Sequence, residues 1–205
     1  MANRVRKLML IALTIISASA DAQEKYFYAA LDFTMPLSNK DWIESGSARG
    51  FRLGYRGFIN NKFSAGIDFG SATYDQYKPT ETVELPTGAI TTDYFNYLYS
   101  YSAVISGQYN FHVGDKEMFF PYAGIGLGAN YNEYVKFYNI YDDRESAWGF
   151  LARPEAGILV KFGERGSIGA MAAVHFDYST NRSEMFGYNN FHAAGFQIGL
   201  MFLEL

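Results

Sequence analysis

The sequence predicts an all-β fold in which eight antiparallel strands run up and down around a closed barrel that spans a membrane. Residues 119–131 alternate with a period of two, which is the period of a strand. One row of this stretch is apolar, the other is mostly glycine, and neither carries a charge. Similar stretches recur along the 205 residues until eight can be counted. Because a soluble protein of this size cannot leave eight apolar rows bare, we expect lipid to cover them.

Glycine marks the row that is predicted to face inward. Gly124, Gly126 and Gly128 follow one another on one face of the 119–131 stretch. Glycine weakens a strand through entropy and lost packing, so three in a row indicate that other groups approach the backbone closely. The inner wall of a narrow barrel is such a place. The opposite, apolar row is therefore expected to face the membrane.

Composition narrows the class of protein. Aromatic residues make up 18% of the chain and charged residues only 19%, below the usual quarter. The chain has no cysteine, which excludes a disulfide framework and a thiolate metal site. The formal net charge is −4, so the chain is poorly suited to bind nucleic acid.

The N-terminal segment predicts export. Basic residues near the start are followed by an apolar run over 8–16 and by small residues over 17–22. The apolar run is about half as long as a membrane-spanning helix, which disfavours the alternative of an N-terminal anchor. We therefore predict a signal peptide at 1–22 and a single barrel domain at 23–205.

The eight strands are predicted from alternating apolar and small or polar residues, with an apolar row in each of them. Their predicted ranges are 26–37, 48–59, 63–74, 93–111, 119–131, 147–162, 167–178 and 191–203.

The predicted connections alternate between long and short. Short turns at one end and long loops at the other are typical of a barrel with periplasmic turns and extracellular loops. The long connections are 38–47, 75–92, 132–146 and 179–190, and the short ones are 60–62, 112–118 and 163–166.

Four basic and four acidic residues within the predicted strands fall on the inner row, Lys161 among them. An Arg or Lys that faced lipid at the midplane would cost about 2 to 4 kcal/mol, whereas inward-facing charges can pair. We predict an ion-pair network that closes the lumen. Its members are Asp32, Arg52, Arg56, Asp68, Arg153, Glu155, His175 and Asp177.

The register of the hairpin around the turn at 163–166 predicts two of the pairs. If the apolar residues that flank this turn lie opposite each other, Arg153 faces Asp177. The same register places Glu155 opposite His175. Opposite charges on facing strands stabilise such a register.

The first short turn predicts a further pair. A two-residue turn would place Arg52 opposite the outward-facing Phe69. A three-residue loop at 60–62 corrects the phase and brings Arg52 close to Asp68.

Aromatic residues near the strand ends predict two girdles at the membrane surfaces. In addition, Pro154 lies in mid-strand, where it removes a ladder donor, so we expect a bulge there. The residues of the predicted girdles are Tyr74, Tyr94, Tyr97, Tyr99, Tyr131 and Tyr134 at the loop end, and Phe63, Tyr109, Phe111, Phe119, Phe162 and Phe202 at the turn end.

The segment from Pro121 to Gly128, in which Pro-Tyr precedes alternating glycines, resembles small outer-membrane β-barrel proteins of the OmpA, OmpX and OmpW kind. The order of polar, glycine and apolar residues from Gln197 to Phe202 fits their last strand, although this chain ends in Leu203-Glu204-Leu205. The resemblance implies a location in the cell outer membrane. It also implies contact with outer-membrane lipid and lipopolysaccharide, and insertion by the barrel-insertion machinery.

Catalytic chemistry has little support in the sequence. His175 and Ser179 are similar to the His and Ser of outer-membrane lipid A deacylases, but that family has Ser two residues after its His, where this chain has Asp177. We favour a structural role in which His175 pairs with Glu155. No enzyme activity, cofactor or metal is predicted.

Two further clusters lie in the predicted third long loop. Residues 142–145, Asp-Asp-Arg-Glu, suit a divalent cation or form a solvated loop tip with an internal ion pair, the reading that we favour. The aromatic residues of the same loop are either a contact surface for a partner or glycan, or a continuation of the strands above the membrane. They are Tyr134, Phe137, Tyr138 and Tyr141.

The leading hypothesis is a monomeric, non-enzymatic outer-membrane barrel with a plugged lumen. It serves as envelope structure or in surface recognition, and in the second role its loops contact an extracellular ligand. The first alternative is a narrow channel or transporter for small or apolar molecules. A soluble ligand-binding barrel is the third hypothesis, and it would need an apolar interior and a charged exterior.

Overall fold

Eight antiparallel strands form a closed barrel in the computed structural model, which describes residues 24–85, 88–111, 118–138, 141–162 and 167–204. Each strand pairs with the next, and the first pairs with the last, so the predicted fold class is confirmed. The predicted signal peptide lies outside the described residues. The strands are β1 (Lys25–Pro36), β2 (Ser47–Phe58), β3 (Phe63–Leu85), β4 (Gly88–Asn110), β5 (Phe119–Tyr138), β6 (Tyr141–Lys161), β7 (Ile168–Ser179) and β8 (Phe191–Glu204).

The two faces of each strand differ in burial as the alternating rows predict. In β5, Ile125 and Leu127 are exposed on the outer face, whereas Tyr122 and Asn130 are buried inside. The described chain has no helix of the length and apolar character that crossing a membrane requires.

Two of the predicted long loops are wrong, because the strands continue through them. β3 and β4 are 23 residues each, and they remain paired up to Leu85 and Gly88. β5 and β6 remain paired up to Tyr138 and Tyr141. The segments are rich in Thr, Val and Tyr, which favour strands.

The two long hairpins join into one sheet. Pairing between β4 and β5 extends to Phe95 opposite Phe137. The extended wall comprises the described parts of 75–99 and 133–146. It continues one side of the barrel beyond the ends of the shorter strands.

Pro154 causes no bulge, so that prediction is wrong. The β6–β7 ladder omits pairs at Arg153 and Pro154 and resumes in the same register on either side. Toward β5, Pro154 keeps its place opposite Ile125. The missing donor interrupts the ladder without inserting a residue. Register shifts occur elsewhere, between Asp32 and Thr34 on β1 and between Lys78 and Glu81 on β3.

Two apolar clusters fill the interior toward its two ends. The turn-end cluster contains Tyr26, Tyr28, Tyr122, Leu159, Met171 and Met201, among others. The mouth cluster, at the end of the barrel from which the extended wall rises, contains Ile43, Tyr74, Leu98, Tyr134, Tyr188 and Phe191, among others.

The two remaining long connections meet at the mouth cluster. Trp42, from the β1–β2 connection, packs against Phe186 and Tyr188 of the β7–β8 connection, with ring centroids 4.4 and 5.7 Å apart. Tyr188 in turn stacks on Tyr134 of β5 at 5.1 Å. The connections therefore cover the interior side of the mouth.

The turn-end girdle lies on the outer face, since all six predicted residues are at least 36% exposed. The loop-end girdle is wrong for Tyr74, Tyr94 and Tyr134, which face inward and are buried. A row of three outward-facing aromatic residues spans β4 to β6 instead, with ring centroids 6.4 and 5.0 Å apart. This aromatic row consists of Tyr101, Tyr131 and Trp148.

Candidate functional site

The ionic belt lies in the interior between the two apolar clusters. All of its members face inward, and Arg52 and Arg56 are each only 1% exposed. Asp177 is half-buried and the other members are buried. The belt comprises the eight residues predicted for the lumen: Asp32, Arg52, Arg56, Asp68, Arg153, Glu155, His175 and Asp177.

The part of the belt nearer the mouth is organised around two aspartates. Arg52 Nε lies 2.8 Å from Asp32 Oδ2, and Arg153 Nε lies 2.6 Å from Asp177 Oδ1. His175 lies between them, with Nε2 at 2.8 Å from Asp32 Oδ1 and Nδ1 at 3.2 Å from Asp177 Oδ1. The imidazole therefore links two carboxylates that come from opposite ends of the chain.

The part nearer the turns is organised around Arg56. Its Nη2 lies 2.9 Å from Asp68 Oδ2 and 3.1 Å from Glu155 Oε1. The hydroxyl of Tyr28 donates a 2.6 Å hydrogen bond to Asp68, and the amide of Gln108 donates a 2.7 Å bond to Glu155. Neutral donors thus supplement the guanidinium at both carboxylates.

The register of the last short turn is as predicted, but one of its pairs is not. Glu155 faces His175 across β6 and β7, and Arg153 binds Asp177. His175 does not bind Glu155, because its ring reaches Asp32 and Asp177, while Glu155 accepts from Arg56. The prediction that His175 pairs with Glu155 is wrong.

The predicted contact between Arg52 and Asp68 is also wrong. The loop at 60–62 has the predicted three residues, with Ile59 bonded to Phe63 across it. Asp68 faces Gly54, midway between the two arginines of β2, and binds Arg56. Arg52 instead reaches Asp32 on the other neighbouring strand.

Gly54 makes room for the part of the belt near the turns. A Cβ at this position would lie 2.6 Å from Cζ of Tyr28 and would also overlap the carboxylate of Asp68. The glycine therefore allows the Tyr28 ring to lie against the strand while its hydroxyl binds Asp68.

Tyr28 and Gln108 are functional neighbours that the sequence argument missed. Both are residues with polar side-chain groups at inner-row positions of their strands. That combination was the feature of the sequence that could have identified them as partners of the belt. Their choice of partner depends on side-chain reach, which the row pattern does not specify.

The belt and the mouth cluster adjoin in the interior of the described barrel. A cavity of about 20 Å³ lies there, lined by belt residues Asp32, Arg153 and Asp177 and by Tyr74 and Phe191 of the mouth cluster. Such a volume holds about one water molecule.

The residues considered for catalysis are not arranged as a nucleophile and base. The hydroxyl of Ser179 lies 3.2 Å from Asn130 Oδ1 and also contacts Asn181, whereas the bonds of His175 go to belt residues. In the part of the chain that the structure describes, no group of three or more His, Cys, Asp or Glu is placed to hold a metal ion.

The acidic cluster at 142–145 lies on strand β6. Arg144 pairs with Asp142 at 2.7 Å and with Glu133 at 3.0 Å. Glu145 turns toward the β7–β8 connection, where it contacts Ser183 and accepts a 3.1 Å bond from the Met185 amide. The internal ion pair is present, but it lies on a strand and not at a loop tip.

The aromatic residues of the predicted third loop divide between the two faces of the wall. Tyr134 and Tyr138 are buried on the inner face, while Phe137 and Tyr141 are 39% and 63% exposed. The continuation of the strands is therefore the alternative that the structure supports.

The inner face of the wall also holds a lysine between aromatic rings. Lys136 Nζ lies 4.2 Å from the ring centroid of Tyr94 and 5.3 Å from that of Tyr138. Burial lowers the pKa of this lysine, because the charged form loses solvation.

Comparisons with known proteins agree with the fold. The model of a family described as outer membrane protein beta-barrel domain matches residues 8–202. Neisserial surface protein A (NspA) has a similar solved structure, with a TM-score of 0.54 at 13% identity, covering 88% of this chain and 96% of that one.

Two further solved structures are similar at lower scores. Ail, the attachment invasion locus protein of Yersinia pestis, solved with the heparin analogue sucrose octasulfate, has a TM-score of 0.48 at 15% identity, covering 89% of this chain and 99% of that one. The outer membrane protease OmpT from Escherichia coli has a TM-score of 0.46 at 5% identity, covering 90% and 98%. No curated protein sequence matches this chain.

Proposed function

We propose a function for this chain, which belongs to the outer membrane protein beta-barrel domain family and is a protein of the cell outer membrane. In that membrane it acts as a sealed, non-enzymatic barrel that displays its extended wall for surface recognition. Residues 1–22 direct export and are removed. The barrel-insertion machinery then inserts the remaining chain, which functions as a monomer surrounded by lipid and lipopolysaccharide.

The ionic belt is the observation that carries the proposal of a sealed barrel. A passing ion or solute would have to separate Arg56 from Asp68 and Glu155, or Arg153 from Asp177. Breaking a buried pair costs about 3 to 5 kcal/mol, because the remaining charge has no partner. The apolar clusters on either side of the belt add two further layers in which an ion would lose its hydration.

The outward-facing charges support a position for the membrane edge on the barrel. On β5 and β6, the first outward-facing charges beyond the aromatic row are those of Glu133 and Arg144. On β2 and β3, Arg49 and Asp75 form the corresponding exposed pair. These charges support a membrane edge at the base of the extended wall. Barrels of this kind have short turns on the periplasmic side, so we infer that the wall projects outside the cell.

The recognition role is supported by the shape of the wall. Four paired strands carry aromatic and charged side chains away from the membrane. A paired sheet holds these groups more rigidly than irregular loops of the same length would. Exposed aromatic residues on rigid supports are typical of binding surfaces.

Conductance across planar lipid bilayers tests the sealed barrel. The wild-type protein is expected to give no steady channel current. A triple variant, Tyr28→Ala, Arg56→Ala and Tyr122→Ala, removes side chains from the turn-end cluster and the belt and is expected to increase leakage. A steady open state of the wild-type protein would instead favour the narrow-channel alternative.

A further inference from the structure

We propose that the outer face of the extended wall contains a binding site for the neutral sugar headgroup of a glycolipid in the outer leaflet. This inference deepens the proposed recognition function and rests on the orientation given above. It concerns residues outside the barrel interior, so it makes no use of the ionic belt.

The site is a groove of about 470 Å³ across β4, β5 and β6. This volume lies within the range of about 300 to 1,000 Å³ that is usual for small-molecule sites. Tyr97 and Tyr99 form one side, with ring centroids 6.1 Å apart and planes inclined by only 8°. Val135 is buried at the base, although it belongs to the outward row. Two nearly parallel phenol rings beside an apolar base offer aromatic surface against which the C–H groups of a sugar can pack.

The charges of the groove select a neutral ligand. Arg144 is the cation of the groove, and it is already paired with Glu133 at 3.0 Å and with Asp142 at 2.7 Å. Two carboxylates against one guanidinium leave the region with a negative balance, which opposes a phosphate. The same three groups suit hydroxyl groups of a ligand, since the carboxylate oxygens can accept hydrogen bonds and the guanidinium can donate them.

The height of the groove identifies the source of the sugar. Tyr99 and Glu133 lie two residues beyond Tyr101 and Tyr131 of the aromatic row, which is about 7 Å along the strand. The headgroup layer is about 5 to 7 Å thick on each side of the hydrocarbon core. The groove also opens sideways, on the face that is continuous with the lipid-facing surface. A headgroup within the membrane can therefore reach it directly.

Lipid retention measured by native mass spectrometry tests the site. The protein would be reconstituted in phosphatidylcholine with equal small fractions of digalactosyl diacylglycerol and phosphatidylglycerol. We expect preferential retention of the galactolipid. The double variant Tyr97→Ala and Tyr99→Ala should retain it about tenfold less, as expected when two aromatic anchors are truncated. Glu133→Gln should also weaken retention, through loss of a carboxylate acceptor.

A matched control is Tyr178→Ala, which removes an outward-facing tyrosine from β7, outside the groove. It should retain the galactolipid as the wild type does. Slow migration of unheated samples on SDS gels would show that all variants fold.

Three results would overturn the inference. They are equal galactolipid retention by the wild type and the Tyr97/Tyr99 variant, a preference for phosphatidylglycerol that is lost in Arg144→Gln, and full displacement of the galactolipid by free digalactose. The last result would identify a soluble glycan as the ligand. Conductance of the same variants tests the sealed barrel separately, because the groove residues do not line the lumen.

Discussion

The burial of individual charges decides how much they stabilise this barrel. Arg56 is 1% exposed and binds two carboxylates, each of which also accepts a bond from a neutral donor. Arg49 pairs with Asp75 on the outer face, where their side chains are 59% and 46% exposed. Water screens the exposed pair, whereas removal of Arg56 would leave two buried carboxylates without their cation.

Replacing Arg56 with methionine is therefore expected to lower the free energy of unfolding by about 3 to 5 kcal/mol. The matched change Arg49→Met should alter it by no more than about 1 kcal/mol. Urea unfolding of both variants in phospholipid vesicles provides the comparison. Similar losses in the two variants would show that the belt contributes no more than a surface ion pair.

For the belt residues, the sequence predicts correctly which face of the strand each side chain occupies, but it does not predict every ion-pair partner. Period two assigns Arg52, Asp68 and His175 to the interior, because the alternation of a strand is fixed. It does not determine which diagonal neighbour a long side chain reaches. Arg52 can reach both neighbouring strands, and it binds Asp32 on β1, the strand that pairs with the other edge of β2. Tyr74 and Tyr94 show the complementary error, since aromatic identity was given more weight than row.

At the scale of elements, the extended wall separates the barrel proper from the surface that it displays. The end of the β3–β4 hairpin, from Glu81 opposite Thr92 to Leu85 opposite Gly88, pairs only within itself. Pairing with β5 begins at Phe95. The part beyond Lys78 and Tyr94 therefore adds little to the closure of the ring.

Shortening this hairpin tests that division. Replacement of residues 79–93 with Asn-Gly joins the paired residues Lys78 and Tyr94 through a two-residue turn. The shortened barrel should still fold, with its free energy of unfolding lower by about 1 kcal/mol or less, as expected for surface residues. Urea unfolding and the heat-dependent shift on SDS gels measure this result.

A deeper cut provides the control. Joining Thr73 directly to Tyr99 through the same turn also removes Tyr74 and Leu98 from the mouth cluster, together with pairs to β5. This variant should lose much more stability. If the replacement of residues 79–93 by itself prevents folding, the hairpin end is needed for the barrel to fold, and the separation of the wall from the barrel proper is incorrect.

The number and order of strands could be predicted from the sequence, but the lengths of four of them could not. Residues 75–92 contain Pro79, Pro86 and several polar residues, which indicate a loop when considered strand by strand. In the folded chain, the β3–β4 ladder shifts register between Lys78 and Glu81, next to Pro79, and then continues. The pairing partner supplies the stabilisation that the local sequence lacks.

The whole molecule is a ring with three interior layers. The turn-end cluster, the ionic belt and the mouth cluster follow one another, with a cavity of about 20 Å³ between the last two. Polar groups occupy the middle layer, where the ring shields them from lipid. The outer face is apolar in the same zone. The barrel therefore separates an apolar outside from a filled, paired inside.

Adjacent aromatic residues on β5 allow a direct test of that separation. Phe119 is 48% exposed on the outer face, and Phe120 packs against the turn-end cluster at nearly the same depth. Each would be replaced by tryptophan in a background that carries Trp42→Phe and Trp148→Phe, and fluorescence would be measured in vesicles of lipids brominated along the acyl chain. Strong quenching is expected for Phe119→Trp and weak quenching for Phe120→Trp. Stronger quenching for Phe120→Trp than for Phe119→Trp would contradict the separation, because the proposed inner face would then contact lipid.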